Sequence, residues 1–220
     1  MSASPRLAVV DYGAGNLVSI EQALTGVGAD VRFVRHPDDL VGADALVVPG
    51  VGAAAPAMRR LAAARLVDPI LSWIRDGKPF LGICLGLQLL FEGSDEDSAA
   101  TLGVLRGRTI QLEDAPTLPH IGWNQVVRRR EHSLFEGIAD GADFYFVHSY
   151  AGRGDEDSVV AETSHGASFV SAVARDNVMG VQFHPERSGQ DGLRLLANFV
   201  AIIAASPAAA RDAAVATGAG

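Results

Sequence analysis

An apolar run that stops at a glycine-flanked cysteine constrains this chain more than any other stretch. The string is Pro79-Phe80-Leu81-Gly82-Ile83-Cys84-Leu85-Gly86, and helical spacing begins at once after it. Such a string describes a strand that turns sharply into a helix, with one side chain at the tip of the turn. A bulky residue at Gly82 or Gly86 would collide with the backbone of that turn. The sequence before it alternates in the same manner. Leu7-Ala8-Val9-Val10, Val31-Arg32-Phe33-Val34 and Ala45-Leu46-Val47-Val48 are short strand runs, the last stopped by Pro49-Gly50. Residues 17–27 carry helical spacing through Leu17, Ile20, Leu24 and Val27, and residues 54–64 and 66–75 form two further helical stretches. Residues 85–91 open the helix after Cys84. Strands alternating with helices imply an α/β fold with a mostly parallel central sheet and right-handed crossovers. Sites in such sheets form beyond the carboxyl ends of the strands. Residues 11–16, residues 49–52 and Cys84 all fall there.

The second half reads differently. Strand-like runs dominate, at 101–112, 125–127, 144–147, 159–161, 169–174 and 178–183, with Arg175-Asp176-Asn177 as a hairpin turn. These add antiparallel strands to the sheet. A helix from 191 to 204 closes the fold with Leu193, Leu196, Phe199, Val200 and Ile203 on one face. Residues 93–100, rich in Asp and Ser, read as an exposed loop. The organisation is one domain over residues 1–206, followed by an Ala-rich tail at 207–220 whose lack of large apolar anchors beyond Val215 predicts disorder.

Bulk properties exclude several function classes. A length of 220 residues suits one α/β domain, and 48% hydrophobic with 20% charged residues is ordinary for a soluble globular protein. A net charge of −8 argues against a nucleic-acid-binding face. The run Arg128-Arg129-Arg130 is a local exception, read as a solvated turn. One cysteine cannot close an intrachain disulfide, which fits a reducing cytoplasm. The first residues lack the apolar core of a signal peptide, and no apolar run is long enough to span a bilayer. No metal is called for, since the histidines show no ligand spacing.

A lone cysteine is often a small inert hydrophobe, so the turn by itself leaves packing and nucleophile readings both open. Val181-Gln182-Phe183-His184-Pro185-Glu186 shifts the balance. His184 and Glu186 stand two apart at the end of an extended run, so both side chains point the same way. Glu186 can then orient the imidazole while the other ring nitrogen serves Cys84, and nucleophile, base and orienting carboxylate make a triad. A helix beginning at the sulfur favours thiolate over thiol.

Gly82-Ile83-Cys84-Leu85-Gly86 with Phe183-His184-Pro185-Glu186 resembles the class I (triad) glutamine amidotransferases, whose single-domain fold is flavodoxin-like. Within them, Asp11-Tyr12-Gly13-Ala14-Gly15-Asn16, Pro49-Gly50-Val51-Gly52, Pro119-His120-Ile121-Gly122-Trp123-Asn124 and Tyr145-Phe146-Val147-His148-Ser149-Tyr150 look like the glutaminase subunits of imidazole glycerol phosphate synthase. The resemblance implies hydrolysis of glutamine to glutamate and ammonia by Cys84, His184 and Glu186, with no cofactor. It implies an oxyanion hole from the N–H of Leu85 and from the segment holding Val51 and Gly52. Gln88, Gly50, Gly52, His148, Ser149 and Tyr150 would bind glutamine. Ammonia would pass to a (β/α)₈-barrel cyclase in a heterodimer, which makes imidazole glycerol phosphate and an aminoimidazole carboxamide ribotide in histidine biosynthesis. Asn16, Trp123, Tyr145 and Arg187 occupy positions that look like the partner interface, with arginine where the family commonly has lysine. A glutaminase for another synthase, such as that of pyridoxal phosphate, a free-standing γ-glutamyl hydrolase and a non-catalytic binding subunit are the rival readings.

Overall fold

Continuous apolar strands need cover on both faces, and the helices between them supply it. The computed structural model describes residues 4–154 and 156–205. Strands β1 (Arg6–Val10), β2 (Asp30–Val34), β3 (Ala45–Gly50) and β4 (Phe80–Cys84) lie parallel in the order β2-β1-β3-β4. Every residue of β3 and β4 is buried, as expected for strands covered on both sides. Alternate side chains go to opposite layers. Leu7 and Val9 join the layer under α1 (Leu17–Gly26) and the last helix, whereas Ala8 and Val10 join the layer under α2 (Ala54–Ala63) and α3 (Val67–Arg75). Asn16 caps α1 by accepting the Ser19 N–H at 3.3 Å. A single helical turn, α4 (Leu85–Gln88), follows β4.

The second half contributes β5 (Gly93–Ser94), β6 (Arg108–Gln111), β7 (His120–Arg128), β8 (Ala142–His148), β9 (Tyr150–Arg153), β10 (Val159–His165), β11 (Ala167–Arg175), β12 (Val178–Val181) and helix α5 (Gly189–Ala204). The nine-stranded sheet runs β2-β1-β3-β4-β12-β11-β10-β7-β8, and β5-β6-β9 form a small second sheet. Strand β12 is the seam, parallel to β4 on one side and antiparallel to β11 on the other. Strands β7 and β8 alternate between more and less exposed residues, as strands with one solvated face do. Phe144, Phe183 and Phe199 fill the layer beneath α5, with the Phe144 and Phe183 rings 4.1 Å apart.

Four expectations need correction. Only residues 108–111 of the run 101–112 form a strand. Residues 102–105 instead fold back on α4 through backbone bonds from Leu102 to Leu89 and from Val104 and Leu105 to Leu90, burying Leu102 and Leu105. The helix after Cys84 stops at Gln88 rather than 91. Arg129 and Arg130 are exposed as expected, but the arginine run is not a free turn: Arg128 ends β7, Arg129 pairs with Glu162, and Arg130 donates to the carbonyls of Val159 and Ala174, tying the end of β7 to β10 and β11. Glu186 does not continue a strand, because residues Pro185–Arg187 form a 3-10 turn. The tail at 207–220 lies outside the described residues. Among the described residues no helix is long and apolar enough to cross a membrane.

Candidate active site

Cys84 sits in left-handed backbone at φ 53°, ψ −108°, a conformation that L-residues adopt only where surroundings enforce it. Glycine is required on both sides. A Cβ at Gly82 would lie 2.6 Å from the backbone of Gly86, and one at Gly86 would lie 1.7 Å from the Val48 carbonyl oxygen. The short α4 carries little macrodipole, so it is chiefly the free N–H groups of its first turn that face the sulfur's end of the helix.

Sheet register brings the other groups to this tip. Gly50 on β3 pairs with Cys84, and Val181 on β12 pairs with Ile83. The residues after Val181 therefore leave the sheet beside the nucleophile. His184 Nδ1 contacts Glu186 Oε1 at 2.8 Å. Both side chains are buried, and the 3-10 turn, not strand parity, swings the carboxylate back onto the ring. A carboxylate accepts, so Nδ1 carries a proton. His184 Nε2 is buried and closes no hydrogen bond. Burial pushes the imidazole down, yet the neighbouring Cys84 sulfur and Glu186 together lift it to about 10. The ring thus holds a proton at neutral pH beside a nucleophile.

A cleft of about 270 Å³ opens over Cys84, lined by Val51, Gly52, Gln88, Glu96, His148, Ser149 and Tyr150 among others. Six of the eight residues expected to bind glutamine or complete the oxyanion hole line this cleft with Cys84: Val51, Gly52, Gln88, His148, Ser149 and Tyr150. Gly50 lies beneath it, where a Cβ would meet the Tyr12 hydroxyl at 2.0 Å. Leu85 follows the nucleophile directly and is buried. Gln88 is not a solvated glutamine: its Nε2 donates to the Tyr150 carbonyl at 2.7 Å and to Gln182 Oε1 at 3.1 Å.

The residues expected at a partner face divide into two groups. Trp123, 57% exposed, meets the Tyr145 ring edge-on, and the Arg187 guanidinium lies 4.1 Å above that ring. Asn16 stands apart from this trio as the cap of α1. Ile121 on the same strand and Leu118 just before it are also exposed, so the strand carrying Trp123 presents an apolar face to solvent rather than a core.

The glutamine amidotransferase class-I family matches residues 8–203. The chain belongs to the class-I glutamine amidotransferases. Imidazole glycerol phosphate synthase subunit HisH of Thermococcus kodakarensis is 53% identical over 199 residues, covering 88% of this chain and 98% of that protein. The subunit of the same name from Methanothermobacter thermautotrophicus is 46% identical, covering 90% of this chain and 100% of that protein. PurLQS from Thermotoga maritima shares the fold at a TM-score of 0.71 and 20% identity, over 91% of this chain and 99% of that one.

In this amidotransferase the sequence reading missed three groups at the site. Glu96 is exposed, as expected of its loop, but it also lines the cleft, and partial burial with Asp97 beside it raises its carboxyl above the usual range. Gln182 is wholly buried and donates to Cys84 Sγ at 3.5 Å. His120 and Asn124 stand behind the cleft wall, joined by hydrogen bonds to each other and, through His120, to His148 on the cleft. Of these, Gln182 carried a legible signal, a polar residue inside the apolar run Val181-Gln182-Phe183. Among the described residues no cluster of His, Cys, Asp or Glu could hold a metal ion.

Proposed function

We propose that this chain is the glutaminase subunit of imidazole glycerol phosphate synthase in the cytoplasm, working as a heterodimer with a (β/α)₈-barrel cyclase. The observation that carries the reading is His184, its Nδ1 held by Glu186 and its buried Nε2 left without a hydrogen bond, at the cleft that Cys84 lines. The relatedness to HisH subunits supports the pathway.

The steps follow from the geometry. The Cys84 sulfur attacks the side-chain amide carbon of glutamine, and the carbonyl electrons move onto oxygen. The N–H of Leu85 and the segment of Val51 and Gly52 receive that oxyanion. His184 gives its proton to the amide nitrogen, the C–N bond breaks, and ammonia leaves a γ-glutamyl thioester. The now neutral His184 takes a proton from water, whose oxygen attacks the thioester, and the C–S bond breaks to release glutamate and restore the thiolate. Gln88, Ser149 and Tyr150 position the substrate, and the Glu96 carboxylate suits its α-ammonium group. Trp123, Ile121 and Leu118 give the partner an apolar face, with Tyr145 and Arg187 beside it and Asn16 as a separate contact.

Glutamate release tests the reading, measured for the chain alone and with the barrel cyclase and its ribonucleotide substrate. Strong stimulation by the loaded partner, lost in Cys84→Ala, is expected. High activity unchanged by the partner would instead mean a free-standing hydrolase. No release in either state would leave a binding subunit or a different synthase.

A further inference from the structure

Gln182 has no role in the chemistry just described, yet it is buried completely and touches the nucleophile. A buried amide is retained only where its donors and acceptor are matched. Both ends are matched here: Nε2 lies 3.5 Å from Cys84 Sγ, and Oε1 accepts from Gln88 Nε2 at 3.1 Å.

The direction of these bonds is fixed from outside. The Tyr150 carbonyl can only accept, and it takes Gln88 Nε2 at 2.7 Å and His148 Nδ1 at 2.9 Å. Gln88 must therefore present its NH₂ group to Gln182, which must answer with oxygen and turn its own NH₂ group to the sulfur. A flipped Gln182 would set oxygen against a thiolate and nitrogen against nitrogen. The same carbonyl orders the other branch. With Nδ1 of His148 donating, its Nε2 accepts from His120 Nδ1 at 3.2 Å, and His120 Nε2 accepts from Asn124 Nδ2 at 3.1 Å. Asn124 Nδ2 is steered in turn by the Ser164 carbonyl at 2.9 Å. Each donor in the set has one assignment.

We propose that Gln182 is a positioning residue for the glutaminase reaction, holding the Cys84 sulfur as a thiolate in place through its Nε2 while Gln88 and the Tyr150 carbonyl hold Gln182. A hydrogen bond to the charged form of a group favours that form and fixes its position. The inference rests on the glutaminase reading for its purpose, but not for its test. Iodoacetamide alkylates a thiolate without any glutamine chemistry.

The test uses the full chain carrying Gln182→Glu, which keeps an acceptor for Gln88 and removes the donor to sulfur. Alkylation of Cys84 by iodoacetamide at pH 7 is expected to slow about 10- to 100-fold, the factor a hydrogen bond to a charged group carries. With the partner present, kcat for glutamate release should fall while KM stays within roughly threefold, the pattern of a lost interaction with the reacting group. Gln182→Met, apolar and of similar length, carries the same expectation should a buried carboxylate unfold the chain. An alkylation rate within about twofold of wild type in a folded variant overturns the proposal, as does a raised KM at unchanged kcat. Absence of glutamate release from wild type would sink the glutaminase reading separately, leaving the alkylation result intact.

Discussion

The backbone N–H of His184 donates to the carbonyl of Tyr145 at 2.9 Å. Ser188 closes the arrangement, its hydroxyl accepting the Tyr145 N–H at 2.9 Å and donating to the His184 carbonyl at 2.7 Å. The base is thus fastened by its main chain to β8, an edge strand of the sheet. The Tyr145 ring on that strand carries Arg187 and faces the exposed Trp123. Whatever binds the Trp123 face presses on the strand that holds the base.

Arg187→Ala should therefore separate coupling from stability. Arg187 is exposed and its main contact is the Tyr145 ring, worth about 0.5–1 kcal/mol at an exposed site. The melting temperature is expected to move by only a few degrees, whereas partner-stimulated glutaminase activity drops about tenfold or more. Unchanged stimulation would count against a role at the interface.

Glu186→Gln keeps the size of the carboxylate but lets the amide offer either end to His184 Nδ1. Removing the charge also lowers the imidazole from its raised state, since Glu186 is one of the groups lifting it. A fall in kcat of roughly 10²–10⁴-fold is expected, as for other orienting carboxylates of triads, with folding intact. Single-turnover release of glutamate reads it; a loss below tenfold would argue that the turn alone orients the ring.

Gly86→Ala tests the turn itself. The added Cβ would sit 1.7 Å from the Val48 carbonyl oxygen, and no side-chain motion relieves a clash with backbone. A loss of about 3 kcal/mol or more is expected, visible as a lowered urea midpoint or insoluble protein. A midpoint matching wild type would mean that β3 and α4 are looser than described.

The parallel half of the fold was legible because its strands are unbroken apolar runs and its turns are marked by glycine, as at Gly82 and Gly86. Residues 101–112 misled for a physical reason: Leu102 and Leu105 are apolar because they pack under α4, not because they alternate in a strand. The sequence could place His184 and Glu186 together, but for the wrong geometric reason, since proline at 185 starts a turn. Glu96 was hidden because it stands in a polar, exposed loop, and the place of Gln182 against Cys84 depends on the pairing of β12 with β4, which no local pattern announces.

His120 and His148 predict the acid limit of stability. Burial, with the neighbouring imidazoles, holds His120 down to about 4 and His148 to about 3, although the Tyr150 carbonyl opposes the shift in His148. An unfolded histidine takes up its proton near pH 6.5. Below that the unfolded chain binds protons the native one refuses, so stability falls as pH drops from about 6.5 toward 4 and 3. Urea midpoints across that window should decline, and less steeply in His148→Gln. Equal slopes in both proteins would contradict the assignment.

Strand β12 inserts between β4 and β11, so the seam of the sheet closes only when residues 178–181 arrive. Cys84 is synthesised a hundred residues before His184. Nucleophile and base are therefore brought together only by the pairing of β12 with β4, across the whole span between them. The reaction thus reads out one long-range strand pairing, between segments far apart in the chain and adjacent in the sheet.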